Sequence, residues 1–77
     1  MTNPIKSPPE LGSFLRDARH RRRLRLEDVA LGAGVGIRFV SELERGKPTA
    51  RLAETLRVAS ALGLTISAKD PLEHPDA

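Results

Sequence analysis

The sequence contains no cysteine, tryptophan or tyrosine, and its only aromatic residues are Phe14 and Phe39. The lack of cysteine excludes disulfides, thiolate zinc sites and cysteine nucleophiles. With so few aromatic side chains, the chain lacks the stacking platforms that hold single-stranded nucleic acids. Long apolar runs and a charged-then-apolar leader are also missing. We therefore expect no signal peptide, no membrane partner and a cytoplasmic location.

The length of 77 residues is enough for one small domain. A chain of this size buries only about 60% of the surface that its unfolded form exposes, so its core alone gives little stability. Without disulfides, such a chain depends on compact helix packing, on oligomerisation, or on both.

Charge is distributed unevenly along the chain. The formal net charge is +3, and ten of the 13 cationic residues are arginine. Residues 1–25 carry seven cationic and two acidic side chains, whereas residues 70–77 carry three acidic side chains and no cation. The planar fork of arginine suits phosphate groups and guanine edges. The basic amino-terminal part therefore indicates a polyanionic partner.

Start and stop signals predict four helices, at residues 8–22, 26–33, 36–45 and 51–62. The first has a clear start, because Ser7 can cap the free amides, Pro8 suits the first helical position and Glu10 can close a capping box. Each later helix is followed by a glycine, which can leave a helix in the left-handed conformation. These glycines are Gly34, Gly46 and Gly63.

The carboxyl-terminal part combines a helical stripe with a period-two segment. The predicted inward stripe of the fourth helix comprises Leu52, Leu56, Ala59 and Leu62. The period-two segment predicts a short strand formed by Leu64, Thr65, Ile66, Ser67 and Ala68. We therefore divide the chain into a flexible arm (1–6), a helical domain (7–63), a strand segment (64–69) and a disordered acidic tail (70–77).

The second and third predicted helices are joined by a tight turn at residues 33–35. Two short helices around such a turn are typical of a helix-turn-helix, in which the first helix crosses the DNA backbone and the second enters the major groove. Ala30 is small enough to let the axes approach, and Gly34 can reverse the chain. Apolar anchors for the third helix are Val35, Val40 and Leu43. Its outer face is then free for DNA and comprises Ile37, Arg38, Ser41, Glu42 and Arg45.

Residues 24–46 resemble the Xre/Cro-like helix-turn-helix family. The similarity lies in "EDVA" at 27–30, "AGV" at 33–35 and "FVSELERGK" at 39–47, and "LRVASALGL" at 56–64 resembles the last helix of that domain. With its final strand, the pattern is most similar to HipB-type antitoxin repressors. The resemblance implies an all-α, lambda-repressor-like domain of four to five helices, with a short carboxyl-terminal strand that pairs across a homodimer.

The resemblance also implies roles for individual residues. Arg19 is implied to pair with Glu44 and so to tie the first helix to the third. The residues implied to reach base edges are Ile37, Arg38 and Glu42. Those implied to lie near phosphates are Ser41, Arg45, Lys47 and Arg51.

The chain departs from the family pattern at the start of the second and third helices. The family has Ser or Thr followed by Gln where this chain has Arg25 and Leu26. Leu26 cannot form the hydrogen bond of the glutamine, and Arg25 cannot cap a helix but could reach a phosphate. Gly36 replaces the usual serine. We include Arg25 and Gly36 in the predicted DNA-binding surface.

Alternatives remain open for several charged residues. Arg38 could pair with O6 and N7 of guanine or contact a phosphate. Glu42 could accept from N4 of cytosine or form an ion pair with Arg38, one helical turn earlier. Residues 21–23 could contact DNA or form only a solvated helix end.

No catalytic, metal or cofactor site is expected. His20 and His74 are far apart and lack clustered acidic ligands. Ser, His and Asp occur without the surroundings of a hydrolase triad, and the glycines follow no phosphate-loop spacing. We therefore expect that the protein is not an enzyme.

A single five-residue strand has no partner within its own chain, so its backbone groups must be paired elsewhere. Pairing with the same strand of a second copy gives a two-fold homodimer. The alternative is an irregular tail that lies on the monomer. A two-fold dimer implies a palindromic operator in double-stranded DNA, with half-sites about one helical turn, roughly 34 Å, apart.

Three functions remain open. The resemblance implies an antitoxin that represses its own operon and holds a HipA-like kinase toxin in complex. A stand-alone phage-type or housekeeping repressor would use the same surface without a protein partner. A helical adaptor would use the fold for protein contacts alone.

Overall fold

The computed structural model describes residues 4–72 of the chain. Within this range four helices follow one another, α1 (Pro8–Arg21), α2 (Leu26–Ala33), α3 (Ile37–Glu44) and α4 (Leu52–Ala61). All four predicted helices are present, with bounds that differ from the prediction by at most one residue. Gly36 and Arg51 precede α3 and α4 as extended cap residues. The fold is therefore all-α, as predicted.

The start of α1 follows from its first residues. The Ser7 hydroxyl accepts a hydrogen bond from the backbone N–H of Glu10 at 3.2 Å. The Glu10 carboxylate accepts from the backbone N–H of Lys6 at 2.6 Å. The reciprocal bond of the predicted capping box thus begins one residue earlier than in the standard arrangement, and it still satisfies free amides at the helix start.

One apolar core joins the four helices. α2 packs against both α3 and α4, and α1 packs against α3. The core residues are Leu15, Ala18, Val29, Ala30, Ala33, Val40, Leu43, Val58, Ala59 and Leu62. Small side chains at Ala18, Ala30 and Ala33 let the helix axes approach closely, so that this short chain closes its core around α2 and α3.

The predicted inward stripe of α4 is wrong for two of its four members. Leu52 and Leu56 are 70% and 44% exposed, and the buried face instead includes Thr55 and Val58. A threonine fits there because its hydroxyl donates to the carbonyl of Arg51 at 2.7 Å, so no polar group is buried without a partner.

The turn between α2 and α3 is closed by Gly34. Its φ of 69° lies in the left-handed region, which a glycine adopts without steric cost. The N–H of Val35 then donates to the carbonyl of Ala30 at 3.0 Å, and Nε of Arg57 donates to the carbonyl of Ala33 at 3.2 Å. These bonds satisfy the carbonyls at the end of α2 and fix the direction in which α3 begins.

Residues 4–72 of the single chain contain no strand. Residues 64–70 have no regular secondary structure, although the N–H of Leu64 donates to the carbonyl of Ala59 at 2.9 Å and its side chain is half-buried. Ile66 is 49% exposed. Pairing of residues 64–68 as a strand would need a second copy of the chain, so the strand stays a prediction.

The ends of the chain extend beyond the described part. Residues 1–3 of the predicted arm and 73–77 of the predicted acidic tail lie outside it. Between residues 4 and 72, no helix has both the length and the apolar content needed to cross a bilayer.

Candidate nucleic-acid interface

α3 has one buried face and one exposed face. Val40 and Leu43 are almost fully buried against the core. On the opposite side lies a mostly polar surface, in which Ile37, Arg38 and the cap residue Arg45 are exposed and Ser41 and Glu42 are half-buried. The five side chains that the sequence predicts to face DNA therefore lie together on one outward face of α3.

A buried ion pair fixes this helix relative to α1. Nε and Nη2 of Arg19 donate to the two carboxylate oxygens of Glu44 at 2.7 and 3.0 Å. Nη1 of Arg19 donates to the carbonyl of Leu24 at 2.9 Å. The hydrogen bond with Glu44 raises the pKa of Arg19 above its already high value, despite the opposing effect of burial. Arg19 thus ties together the end of α1, the following loop and the end of α3.

The end of α3 is shaped by Gly46. Its φ is 84°, and a Cβ at this position would lie 2.7 Å from the Cα of Pro9. The N–H of Gly46 donates to the carbonyl of Leu43, and the N–H of Lys47 donates to that of Glu42, at 3.0 and 3.1 Å. This pair of bonds is a Schellman motif. It turns the chain back so that Lys47 lies beside α3.

Three charged side chains meet on the exposed face of α3. Nε of Arg38 donates to Oε2 of Glu42 at 3.2 Å, and Nζ of Lys47 donates to Oε1 of the same carboxylate at 3.0 Å. The hydrogen bond from Lys47, followed by that from Arg38, lowers the pKa of Glu42 below its usual value. We call these residues the Arg38–Glu42–Lys47 cluster.

A further cation lies next to this cluster. Arg38, Glu42, Lys47 and Arg51 line one open groove between α3 and the start of α4. Nε of Arg51 lies 3.0 Å from a carboxylate oxygen of Glu54, and the Arg51 side chain is mostly exposed. The groove therefore presents three cationic side chains beside the outer face of α3.

Arg25 lies at the start of α2, where its guanidinium is exposed. Its backbone N–H donates to the Asp28 carboxylate at 2.8 Å, and its Nε lies 3.8 and 3.9 Å from the carboxylates of Glu27 and Asp28. The Asp28 carboxylate thus satisfies the backbone N–H of Arg25, which is the half of a capping box that does not require the Arg25 side chain. Gly36, the cap of α3, makes no side-chain bond and has open space around it.

Sequence reasoning missed two contacts, one on this surface and one at the turn before α3. The bond between Lys47 and Glu42 spans five residues across a helix end, where helical spacing no longer applies; the "GK" after the helix was the available signal. Arg57 reaches Ala33 across 24 residues, which no local pattern encodes. In addition, Nη1 of Arg22 donates to the carbonyl of Ala18 at 2.8 Å, which supports the interpretation of residues 21–23 as a helix end.

Within the part of the chain that the structure describes, no three His, Asp or Glu residues are grouped so that they could hold a metal ion. The outer face of α3 is a charged surface flanked by the cations Lys47 and Arg51. Such a surface can form hydrogen bonds and ion pairs with a groove-shaped polyanion.

The sequence matches the profile of the helix-turn-helix domain over residues 10–72. It is also 41% identical over 74 residues to y4mF of Sinorhizobium fredii, an uncharacterized HTH-type transcriptional regulator. That alignment covers 96% of this chain and 97% of y4mF. The chain belongs to the family of helix-turn-helix transcriptional regulators. The family predicted from the sequence is thereby confirmed.

A second helix-turn-helix relative is DdrOP3 of Deinococcus deserti, an HTH-type transcriptional regulator. The two are 38% identical over 52 residues, which is 68% of this chain and 40% of DdrOP3. The similarity to DdrOP3 is therefore limited to a minor part of that protein.

The fold of this helix-turn-helix regulator is also similar to solved structures of HipB. For HipB in a complex with an O4 20mer, the TM-score is 0.83 at 18% identity, over 91% of this chain and 99% of that chain. A HipA–HipB–O2–O3 complex gives a TM-score of 0.84 at 18% identity, again over 91% of this chain and 99% of that chain. These similarities show a HipB-like fold.

Proposed function

We propose that the protein is a transcriptional repressor that binds a palindromic operator in double-stranded DNA as a homodimer. The observation that carries this proposal is the outward face of α3, where five polar or exposed side chains lie opposite the buried Val40 and Leu43. In a helix-turn-helix the second helix of the motif enters the major groove, where every base pair presents a distinct pattern of donors and acceptors. α3 is that helix here.

Base contacts and phosphate contacts divide between two groups of residues. Ile37 and Arg38 are the proposed base-contacting residues, and Glu42, which the resemblance also places near base edges, forms an ion pair with Arg38. The residues proposed to lie along phosphates are Arg25, Gly36, Ser41, Arg45, Lys47 and Arg51. All four cationic residues among them are exposed, so they can exchange water for phosphate oxygens. Their contacts would position α3 and make the affinity fall with added salt.

The homodimer is proposed to form through the strand segment. Residues 64–68 lie in one exposed stretch after α4, except for the half-buried Leu64. The same segment of a second copy can pair with their backbone groups in a two-stranded ribbon. A two-fold axis through this ribbon would set the two α3 helices about one turn of DNA apart, roughly 34 Å.

We further propose that the protein is the autoregulating antitoxin of a type II toxin–antitoxin pair and that its partner is a HipA-like kinase toxin. The HipB-like fold supports this role, because HipB is found in a complex with HipA. A stand-alone repressor is the second candidate, and it is favoured by the 41% identity to an HTH-type transcriptional regulator along nearly its whole length.

A gel-shift assay tests the DNA-binding proposal. Wild-type protein is mixed with the promoter of its own gene and with a shuffled duplex of the same composition, at about 150 mM salt. Preference for the promoter by about 10³-fold or more is expected of a specific regulator. Equal affinity for the two duplexes contradicts autoregulation. Co-purification with the product of an adjacent kinase-like gene separates the antitoxin from the stand-alone repressor.

A further inference from the structure

Glu42 is an acidic residue in the middle of a face that is proposed to meet polyanionic DNA. Its side chain is 27% exposed, whereas that of Arg38 is 89% exposed. A carboxylate at such a place is unfavourable next to phosphates unless cations neutralise it. In the structure two cations do so, because each carboxylate oxygen accepts a hydrogen bond from a different one.

The geometry of the Arg38 contact decides what the guanidinium can still bind. The bond to Glu42 uses Nε of Arg38. The terminal fork formed by Nη1 and Nη2 therefore remains for a second planar pair of acceptors, such as O6 and N7 of guanine. Fixing an arginine by Nε also restricts its rotamers, so less conformational entropy is lost when the fork binds.

The same geometry argues against direct base contact by Glu42. Each carboxylate oxygen keeps a second lone pair, but the Glu42 side chain is only 27% exposed and lies between Arg38 and Lys47, so the far more exposed Arg38 is better placed to reach a base edge. Lys47 is held next to the Glu42 carboxylate by the Schellman motif at Gly46, since the backbone N–H of Lys47 donates to the carbonyl of Glu42 itself. The lysine is thus built into the end of α3 as a neighbour of this carboxylate.

We propose that Glu42 is a positioning residue, which holds Arg38 by Nε and presents its terminal fork to a guanine while Lys47 neutralises the carboxylate. The inference rests on the proposed function, because it requires α3 to lie in the major groove. It assigns the base contact to Arg38 and the control of its orientation to Glu42.

A double-mutant cycle on base discrimination tests this assignment. The probe is the duplex that wild-type protein selects from a randomised DNA pool, together with every single-base-pair variant of it. Arg38→Ala is expected to reduce discrimination at one guanine pair by about 10-fold. Glu42→Ala is expected to reduce discrimination at the same pair by about 3-fold or more, with no further loss in the Arg38→Ala background. Glu42→Gln keeps an acceptor for Nε and is expected to retain more discrimination than Glu42→Ala.

A matched control is Glu54→Ala, which removes a carboxylate from the Arg51–Glu54 pair beside the same groove. It is expected to change the affinity for all duplexes by a similar factor and to leave the discrimination profile unchanged. Because discrimination is a ratio of affinities measured on one protein sample, partial unfolding of a variant does not alter it.

Two results with Glu42→Ala overturn the inference. One is a loss of discrimination at a different base pair that adds to the loss in Arg38→Ala, which would make Glu42 a base-contacting residue. The other is a uniform change across all duplexes. If wild-type protein selects no sequence at all, the proposed function itself fails, and that result is distinct from both.

Discussion

Arg19 and Glu44 form a two-pronged ion pair between α1 and the last residue of α3, with N–O distances of 2.7 and 3.0 Å. Both side chains are about nine-tenths buried. A third bond, from Arg19 to the carbonyl of Leu24, adds the loop after α1 to the same junction. The orientation of α3 therefore depends on a charge pair that water hardly reaches.

Removal of the acidic partner should be costly. Glu44→Ala leaves the Arg19 guanidinium buried without its counter-charge, and we expect a loss of about 3–5 kcal/mol in the free energy of unfolding. The measurement is urea denaturation followed by circular dichroism. Glu27→Ala serves as the control, because the Arg25–Glu27 pair is exposed and should contribute no more than about 1 kcal/mol. Equal losses in the two variants would refute the structural role of the buried pair.

Gly46 should tolerate no side chain. Gly46→Ala imposes the steric cost of the left-handed conformation, roughly 1–2 kcal/mol, and also drives a Cβ to within 2.7 Å of the Cα of Pro9. Gly63→Ala is the matched control, since Gly63 has a φ of 73° but open space around it. We expect a larger drop in melting temperature for Gly46→Ala than for Gly63→Ala. Equal drops would mean that α1 does not press against this turn.

The pKa of Glu42 can be measured directly. Lys47 and Arg38 hold it below the usual glutamate value, which is about 4.3. The unfolded chain therefore binds the Glu42 proton more readily than the folded chain does. The contribution of the two contacts to the stability of the fold is complete above about pH 4.3 and is lost as the pH falls through the lowered pKa of Glu42. In a carboxyl NMR titration, Lys47→Ala should raise the pKa of Glu42 more than Arg38→Ala does. An unchanged pKa in both variants would contradict the cluster geometry.

If the dimer forms through the strand segment, an added charge should weaken the dimer within that segment and should have no effect beyond it. Ile66→Lys places a cation in the centre of the proposed ribbon and should shift the protein toward monomer in sedimentation equilibrium. Leu72→Lys changes another exposed apolar residue beyond the ribbon and should leave the dimer intact. An unaltered dimer in Ile66→Lys would remove the proposed role of residues 64–68.

The helices could be predicted because their signals are local. Each signal acts on backbone groups within one helical turn. The signals are Ser7, the acids at the start of α2 and the glycines after each later helix. The buried face of α4 could not be predicted in this way. Thr55 is buried where a leucine was predicted, because its hydroxyl donates a hydrogen bond to a carbonyl one turn earlier. A count of apolar residues does not detect a polar side chain that is satisfied in this way.

The candidate site shows the same division. The outer face of α3 follows from helical spacing once Val40 and Leu43 are taken as buried. The position of Lys47 depends on the left-handed conformation of Gly46 and on the approach of Pro9, 37 residues earlier in the chain. A contact between two segments that are distant in the sequence produces no periodic pattern, so a single sequence does not predict it.

Methylation protection of guanine N7 measures whether α3 lies in the major groove and whether Arg38 contacts guanine there. Wild-type protein bound to the duplex that it selects should protect guanines in two blocks about one helical turn apart, roughly 34 Å. Arg38→Ala should lose protection at one guanine in each block. Full methylation of every guanine in the wild-type complex, with protection only at adenine N3 in the minor groove, would show that α3 does not lie in the major groove.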